Sequence, residues 1–543
     1  MTSQTGGREV PQQRSDKPVG SLGADKPSAS PAFASVAVKP NGAFPRWAAN
    51  AIDAALLVVP VLYAAVLCVQ FRRGFDFTDE GYYLVNFVHW RNALASLTFF
   101  GAYFAPPFAW LGESVWGIRV LGLVLLVGST VYFAARFFES VQTNGVQARF
   151  RVVSVGVLAG VAMAFYAPWS TLFTPGYNLL SLVLILVSSG TVLAPARTPM
   201  TVPQLVLYGL CLGALFFVKF PAYFVTVAAH LLITVNGAPA DRRSRLIARV
   251  LASAVLGVCA NFVFLLAVGG DILRSVSTGL QYLQILQPRN PLLEVVLLLF
   301  VAIPKMLFAS APTTWPVAVL AIMGALYGGQ SDRWLVLAIL AVIATAFGPW
   351  SFGGVHGARY SAVLFAIGGI VLMSNQRLAL ARCTPRLVVA PPGVLLLVVT
   401  LLPVALVIGT SNELRYATAM GIVFPVAVCL ALLLRLHGNG VLPPYALRAC
   451  VGVIGLAPVA LINAPWNDAY STYRLGAALR AQESGITIGG GTIAVDDATA
   501  AAVREYRATL ARLGFTSSGA MLDLTGAGPG LVYLAGATPT GRA

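Results

Sequence analysis

The sequence predicts an all-α polytopic membrane protein of about 13 transmembrane helices, with a small α/β module outside the bilayer at its C-terminal end. Three observations carry that expectation. Of 543 residues, 57% are hydrophobic and only 10% charged, and the mean hydropathy is +0.78; soluble domains carry about 25% charged residues. Apolar runs matching the roughly 20 residues that a spanning helix needs recur along most of the chain. Arginines sit in short loops beside those runs, so the net charge of +16 reads as helix orientation in a membrane and not as a nucleic-acid surface.

Residues 1–45 are rich in Ser, Pro, Gly, Ala and Lys without apolar periodicity, the composition of a disordered tail. The run from Trp47 to Gln70 starts too far from Met1 and is too long for a cleavable signal, so it reads as a permanent first helix. Within the membrane domain, residues 46–464, further spans are expected near 115–138, 152–169, 178–195, 203–219, 221–236, 250–269, 334–350, 359–374, 387–409, 417–435 and 446–464. Arg149 with Arg151, Arg242, Arg243, Arg245 and Arg249, and Arg377, Arg382 and Arg386 form three clusters expected on the cytoplasmic side. Two cytoplasmic clusters need an even number of crossings between them. The stretch from Leu292 to Tyr327, broken by Pro304, Pro312 and Pro316, is therefore taken as one net crossing plus a re-entrant piece. This sets the N-terminus in the cytoplasm and residues 465–543 outside. The six cysteines lack metal-ligand spacing and read as small buried hydrophobes.

In the C-terminal module, Thr492 to Val495 reads as a strand, and Ala498 to Leu513 as a helix capped by Asp496 or Asp497. Strands are expected around Met521 to Leu524 and Gly530 to Leu534. The other large segment outside the membrane is the first external loop, residues 71–114, long for a connection in so compact a chain.

Carboxylates localise the chemistry, because between residues 46 and 464 there are only eleven. Three fall within five residues of that loop, in Phe75-Asp76-Phe77-Thr78-Asp79-Glu80-Gly81-Tyr82-Tyr83. One reading is a helix start, with Thr78 as cap, Asp79 and Glu80 favourable to the dipole, and Tyr82, Tyr83 and Trp90 as interfacial anchors. The other presents Asp79 to a substrate. The spacing admits both.

The run Asp79-Glu80-Gly81-Tyr82-Tyr83-Leu84, then Pro106-Pro107, then Leu111-Gly112-Glu113-Ser114-Val115-Trp116-Gly117-Ile118-Arg119 resembles the first external loop of the GT-C membrane glycosyltransferases. The closest likeness is to the protein mannosyltransferase and lipid A aminoarabinose transferase branch. Gly213 to Pro221, containing Lys219, is similar to that branch's Gly-rich helix ending in a basic residue, and His356-Gly357-Ala358-Arg359-Tyr360 to its basic and tyrosine pair beside the lipid phosphate. The resemblance implies a bacterial plasma-membrane enzyme that transfers sugar from a polyprenyl-phosphate donor to a lipid, glycan or protein acceptor hydroxyl on the extracytoplasmic side, inverting the anomeric carbon. Asp79, with Glu80 beside it, takes the catalytic place. Asp76, Tyr82, Lys219, His356, Arg359, Tyr360 and Asn178 are the implied substrate-binding residues.

Asn178 stands where members of the branch often carry an aspartate. It keeps a neutral oxygen ligand but loses the charge a divalent cation prefers, so a metal cofactor is left open. For Lys219 the plain alternative is snorkelling to the interface; for His356 it is a hydrogen-bonded loop histidine. Two other functions fit a multi-spanning chain: a flippase or transporter of lipid-linked sugars, and a polysaccharide polymerase or ligase. Against the first stand the absence of an inverted repeat and the external placing of the acids; against the second, the early position of the large loop.

Overall fold

The computed structural model describes residues 45–92, 98–141, 146–166, 172–193, 200–286, 391–406, 420–438, 442–456 and 477–540 apart from 518 and 524–527, with single positions at 408, 458 and 466. The expected spans at 334–350 and 359–374, the interrupted stretch 292–327 and the cluster Arg377, Arg382 and Arg386 lie outside the described residues.

The chain is an all-α membrane protein carrying a small α/β module. In α1 (Arg46–Gln70) the positions turned inward are Asp53, Leu56, Pro60, Tyr63, Leu67 and Gln70, a strict three-and-four spacing. The opposite face shows Val58, Val61, Leu62 and Val69 to the surroundings, each more than half exposed. An exposed apolar stripe of that length suits a lipid-facing helix surface. The first loop folds into two helices, α2 (Asp79–His89) and α3 (Phe100–Trp110). Next come α4 (Val115–Ser140), capped by the Ser114 hydroxyl accepting from Gly117 N at 3.1 Å, and α5 (Ala148–Ala162), which tightens into a 3₁₀ turn to Tyr166. Then follow α6 (Tyr177–Leu193), α7 (Val202–Val218), α8 (Phe220–Gly237), α9 (Ala240–Ala267) and α10 (Ile272–Leu286). Past the undescribed segment lie α11 (Pro391–Leu401), α12 (Val423–Gly438) and α13 (Pro444–Leu456). By length and composition, α1, α4, α5 with its 3₁₀ turn, α8 and α9 can each cross a membrane.

Two contacts set the membrane packing. At the end of α1 away from the first loop, the buried Asp53 carboxylate accepts from Arg448 Nε at 2.9 Å and pairs with Arg149, so α1, α5 and α13 meet on one charge. Between α7 and α9 the backbones touch: a Cβ on Gly257 would lie 1.8 Å from the Gly209 carbonyl oxygen, and one on Gly213 would lie 2.0 Å from that of Gly257. Small residues permit such approach where lipid offers no hydrophobic drive for association. Asn261 fastens the same seam by donating to the Leu210 carbonyl at 3.1 Å. The arginine cluster Arg242 to Arg249 belongs to the first turns of α9 itself and not to a loop, since Pro239 and Asp241 start the helix early.

The C-terminal module opens with a hairpin, β1 (Ser484–Ile488) and β2 (Gly491–Val495), paired antiparallel through a Gly489-Gly490 turn. α14 (Asp497–Arg512) starts at Asp496, whose carboxylate accepts from Thr499 N at 2.9 Å, as the sequence predicts. The strand expected around Met521 is short, β3 (Ala520–Met521), paired parallel with β4 (Thr538–Pro539). Gly530 to Leu534 is not a strand but part of α15 (Pro529–Leu534). Pro529 presets the first turn, and Gly536, at φ 65°, closes the last, with Ala537 N donating to Val532 O at 3.1 Å.

Replacing Gly257 by Leu should force α7 and α9 apart and lower stability by about 1–3 kcal/mol or more, the scale of overpacking. Thermal unfolding of the purified protein in detergent measures it; an unchanged midpoint would contradict the seam.

Candidate functional site at the head of the first loop

The loop begins by wrapping around one side chain. Arg119, in the second turn of α4, is 0% exposed, as is Glu80 in the first turn of α2. Arg119 Nη2 lies 2.6 Å from Glu80 Oε1 and donates to Gly74 O at 2.8 Å; Nη1 donates to Phe71 O at 2.6 Å and Arg73 O at 3.1 Å. Nε donates to Glu80 Oε1 at 3.1 Å. Thr174, from the turn before α6, also donates to Glu80 Oε1, while Glu80 Oε2 accepts from Asp76 N at 3.1 Å. The backbone carbonyls that leave α1 therefore converge on a guanidinium whose rigid fork suits several acceptors at once.

Asp76 is buried and its Oδ2 accepts from Asp79 N at 2.8 Å, Glu80 N at 3.4 Å and Thr78 Oγ1 at 2.8 Å. It is the capping group of α2. Thr78 stands at the cap position yet makes no side-chain cap bond, because its hydroxyl is turned to Asp76. Of the three clustered carboxylates, Asp79 is the exposed one. Asp76, implied by the resemblance as substrate-binding, and Glu80, implied beside Asp79 at the catalytic place, are held by backbone amides and by Arg119.

Behind Asp79 lies an aromatic wall. Tyr83 packs edge-on to Phe100 at 5.4 Å and to Tyr177 at 6.2 Å, and Tyr82 lies 6.1 Å from Tyr83. Tyr82, Tyr83 and Trp90 are each half-buried and pack against the apolar interior. Burial pushes the Tyr83 phenol well above its usual value, and the neighbouring Tyr177 phenol and Asp79 carboxylate act the same way, so the hydroxyl keeps its proton.

Past Tyr177 the wall reaches Lys219. The α7–α8 break at Lys219, with Phe220-Pro221 starting the next helix, turns its side chain inward; it is only 6% exposed. Nζ donates to Asn178 Oδ1 at 3.2 Å and to the Leu406 carbonyl, and lies 5.6 Å from the Tyr177 ring centroid. Lys219 is therefore a buried side chain held by two acceptors, and the snorkelling alternative is not what the fold adopts. Asn178 Oδ1 faces an ammonium, a poor setting for a second cation, and Asp76 and Glu80 are committed elsewhere. This donor set does not fit a divalent metal at Asn178. His356, Arg359 and Tyr360 lie outside the described residues.

The C-terminal module closes over the same loop. Gly74 N donates to Ala494 O at 2.9 Å, Ala494 N to Arg72 O at 2.9 Å, Gly490 N to Glu113 O at 3.2 Å and Gly530 N to Phe77 O at 2.8 Å. Arg73 Nη1 donates to the carbonyls of Leu479 and Arg480, each at 2.9 Å. The first loop and the module thus share one side. In the sequence Arg119 ends the Leu111 to Arg119 run of the first-loop motif, and no role falls on it there. The signal was available: an arginine inside an apolar helix needs a buried partner.

No protein-family model matches this chain, and no curated protein matches it by sequence. Among solved structures it is similar to the apo form of the Archaeoglobus fulgidus oligosaccharyltransferase, with 13% sequence identity and a TM-score of 0.43. The match covers 89% of this chain and 64% of the archaeal one, so the chain spans just under two thirds of that protein's length.

Arg119→Met should cost about 3–5 kcal/mol, because Glu80 is left charged and uncompensated. Adding Glu80→Gln should recover part of that loss, and strictly additive losses in thermal unfolding would exclude the pair as the organising contact. A second expectation concerns His89, in the last turn of α2, where Glu113 and the Ala537 carbonyl of the module are its neighbours. Burial lowers its pKa below the ordinary value, against the opposing pull of Glu113 and of that carbonyl. A depressed histidine contributes stability that is fully present above its unfolded value near 6.5 and lost as pH falls through the lower folded value. Proteolytic release of the module should accelerate below about pH 6.5, and His89→Gln should flatten that dependence.

Proposed function

We propose that the chain is an integral membrane glycosyltransferase of the GT-C type, moving a sugar from a polyprenyl-phosphate donor to an acceptor hydroxyl on the extracytoplasmic side with inversion. The observation that carries this reading is the division of labour among three neighbouring carboxylates. Asp76 caps, Glu80 pairs, and Asp79 is exposed between them, in front of an aromatic wall that ends at a buried lysine.

In this reading Asp79 is the general base. Its carboxylate takes the proton of the acceptor hydroxyl as that oxygen bonds to the anomeric carbon, and the bond from that carbon to the phosphate oxygen breaks with its electron pair leaving on the lipid phosphate. Base catalysis of this kind contributes about 10²–10⁴ in rate. The Lys219 ammonium, held by Asn178 and the Leu406 carbonyl, meets the charge developing on the leaving phosphate; a preformed cation in a low-dielectric site needs no reorganisation for that task. The sugar lies along Tyr83 and Tyr177, whose rings bridge the base to the cation. His356, Arg359 and Tyr360 remain proposed partners of the phosphate on the strength of sequence alone.

The test is a transfer assay in liposomes with a panel of polyprenyl-phosphate sugars. Asp79→Asn keeps volume and helix compatibility yet cannot accept the proton, so turnover should fall by about 10²–10⁴. A folded Asp79→Asn protein keeping more than about a tenth of the rate would rule out the base assignment. Lys219→Ala should weaken donor use by roughly 1.5–3 kcal/mol, read as donor KM or kcat, with acceptor KM unmoved.

A further inference from the structure

The chemistry just described uses nothing from the C-terminal module, yet the module meets the segment that carries Asp79 backbone to backbone. A Cβ built on Gly81 would lie 2.2 Å from Gly530 N and 2.3 Å from Gly530 Cα. A Cβ on Gly530 would lie 2.7 Å from Phe77 Cα and 2.8 Å from Phe77 O. Two backbones meet here with no side chain between them, and the Gly530 amide donates to the Phe77 carbonyl at 2.8 Å.

Asp79 stands midway between Phe77 and Gly81, two residues from each, so α15 abuts the backbone on both sides of it. From below, Glu80 is fixed by Arg119. At the far end of α2, the module packs beside the helix through β4, next to His89. The first turn of α2 is therefore clamped between a buried ion pair and a glycine contact, and a rigid mount is what a base needs if its reach to the substrate is to be set before the substrate arrives.

We infer that the module is a positioning element of the candidate site, and that Gly530 and Gly81 are positioning residues that fix where the Asp79 carboxylate stands. A methyl group on Gly530 cannot be absorbed by a flexible side chain, because the atoms it meets are backbone; the Phe77 to Asp79 segment has to move instead. This inference rests on the reading of Asp79 as the base.

The experiment compares the full-length wild type with Gly530→Ala, and with Arg504→Ala on the exposed face of α14 as control. In the transfer assay, Gly530→Ala should lower kcat by about tenfold to a hundredfold while donor KM stays within about twofold, the signature of a misplaced base. Arg504→Ala should change neither. A readout that needs no activity runs beside it: Asp79→Cys introduces a thiol whose alkylation rate, followed by mass spectrometry of its peptide, should differ several-fold between the wild-type and Gly530→Ala backgrounds. Should Gly530→Ala fail to fold, His89→Ala loosens the other end of the clamp without adding atoms and should shift both quantities in the same direction by less. Unchanged kcat together with an unchanged alkylation rate would overturn the inference. A changed alkylation rate alongside an active Asp79→Asn enzyme would overturn the base assignment while leaving the mount intact.

Discussion

The first loop depends on the ion pair between Arg119 and Glu80. A guanidinium and a carboxylate withdrawn wholly from water face a desolvation cost that their mutual attraction offsets only when every remaining donor and acceptor is also served. Here the service is mutual: the carbonyls of Phe71, Arg73 and Gly74 need donors as the chain leaves α1, and Arg119 supplies them. The pair also decides direction. Successive residues on a helix point about 100° apart, so drawing Glu80 inward turns its neighbour Asp79 outward, and the capping of the same turn by Asp76 prevents the helix from rotating out of that choice.

The same logic explains why a lysine can sit deep among phenylalanines and tyrosines. A lone ammonium there would be unstable in hydrocarbon, but the break between α7 and α8 frees backbone geometry that lets Lys219 reach Asn178 and the Leu406 carbonyl. Polar atoms lent by two separate segments hold one charge in place. The aromatic rings around it add an electrostatically favourable face without offering a proton acceptor.

Much of this was legible in the sequence, and the rest was not for identifiable reasons. Apolar run length located α1, α4, α7 and α8 within a few residues, and the pair Asp496-Asp497 announced the start of α14, because each is decided locally. The clustering of Asp76, Asp79 and Glu80 marked the right segment, but not which of the three faces out. That depends on Arg119, 39 residues further along, and on Thr174, 94 residues from Glu80. The tyrosines after Glu80 read equally well as interfacial anchors, since only Phe100 and Tyr177 draw them inward. Gly530 to Leu534 alternates like a strand. It is helical because Pro529 and Gly536 fix its two ends, a signal of punctuation outweighing periodicity. The β1 strand was also within reach, through Ile486 and Ile488 and the paired glycines that follow.

The carbonyl of Arg480, to which Arg73 donates, lies 407 residues beyond it in the chain. Domains form during synthesis from the N-terminal side, so at the moment α1 to α4 enter the membrane, the partner that closes the loop does not yet exist. The growing chain must carry an open, polar, aromatic-rich segment through the insertion of every later helix described here, and only the arrival of the hairpin and α15 completes it. Arg119 is available at once, which lets the buried pair act as an early anchor while the glycine contact waits. Biogenesis therefore runs in two stages, with a membrane bundle whose loop is held but unroofed, and then a late docking event across a sequence separation that makes its closure slow.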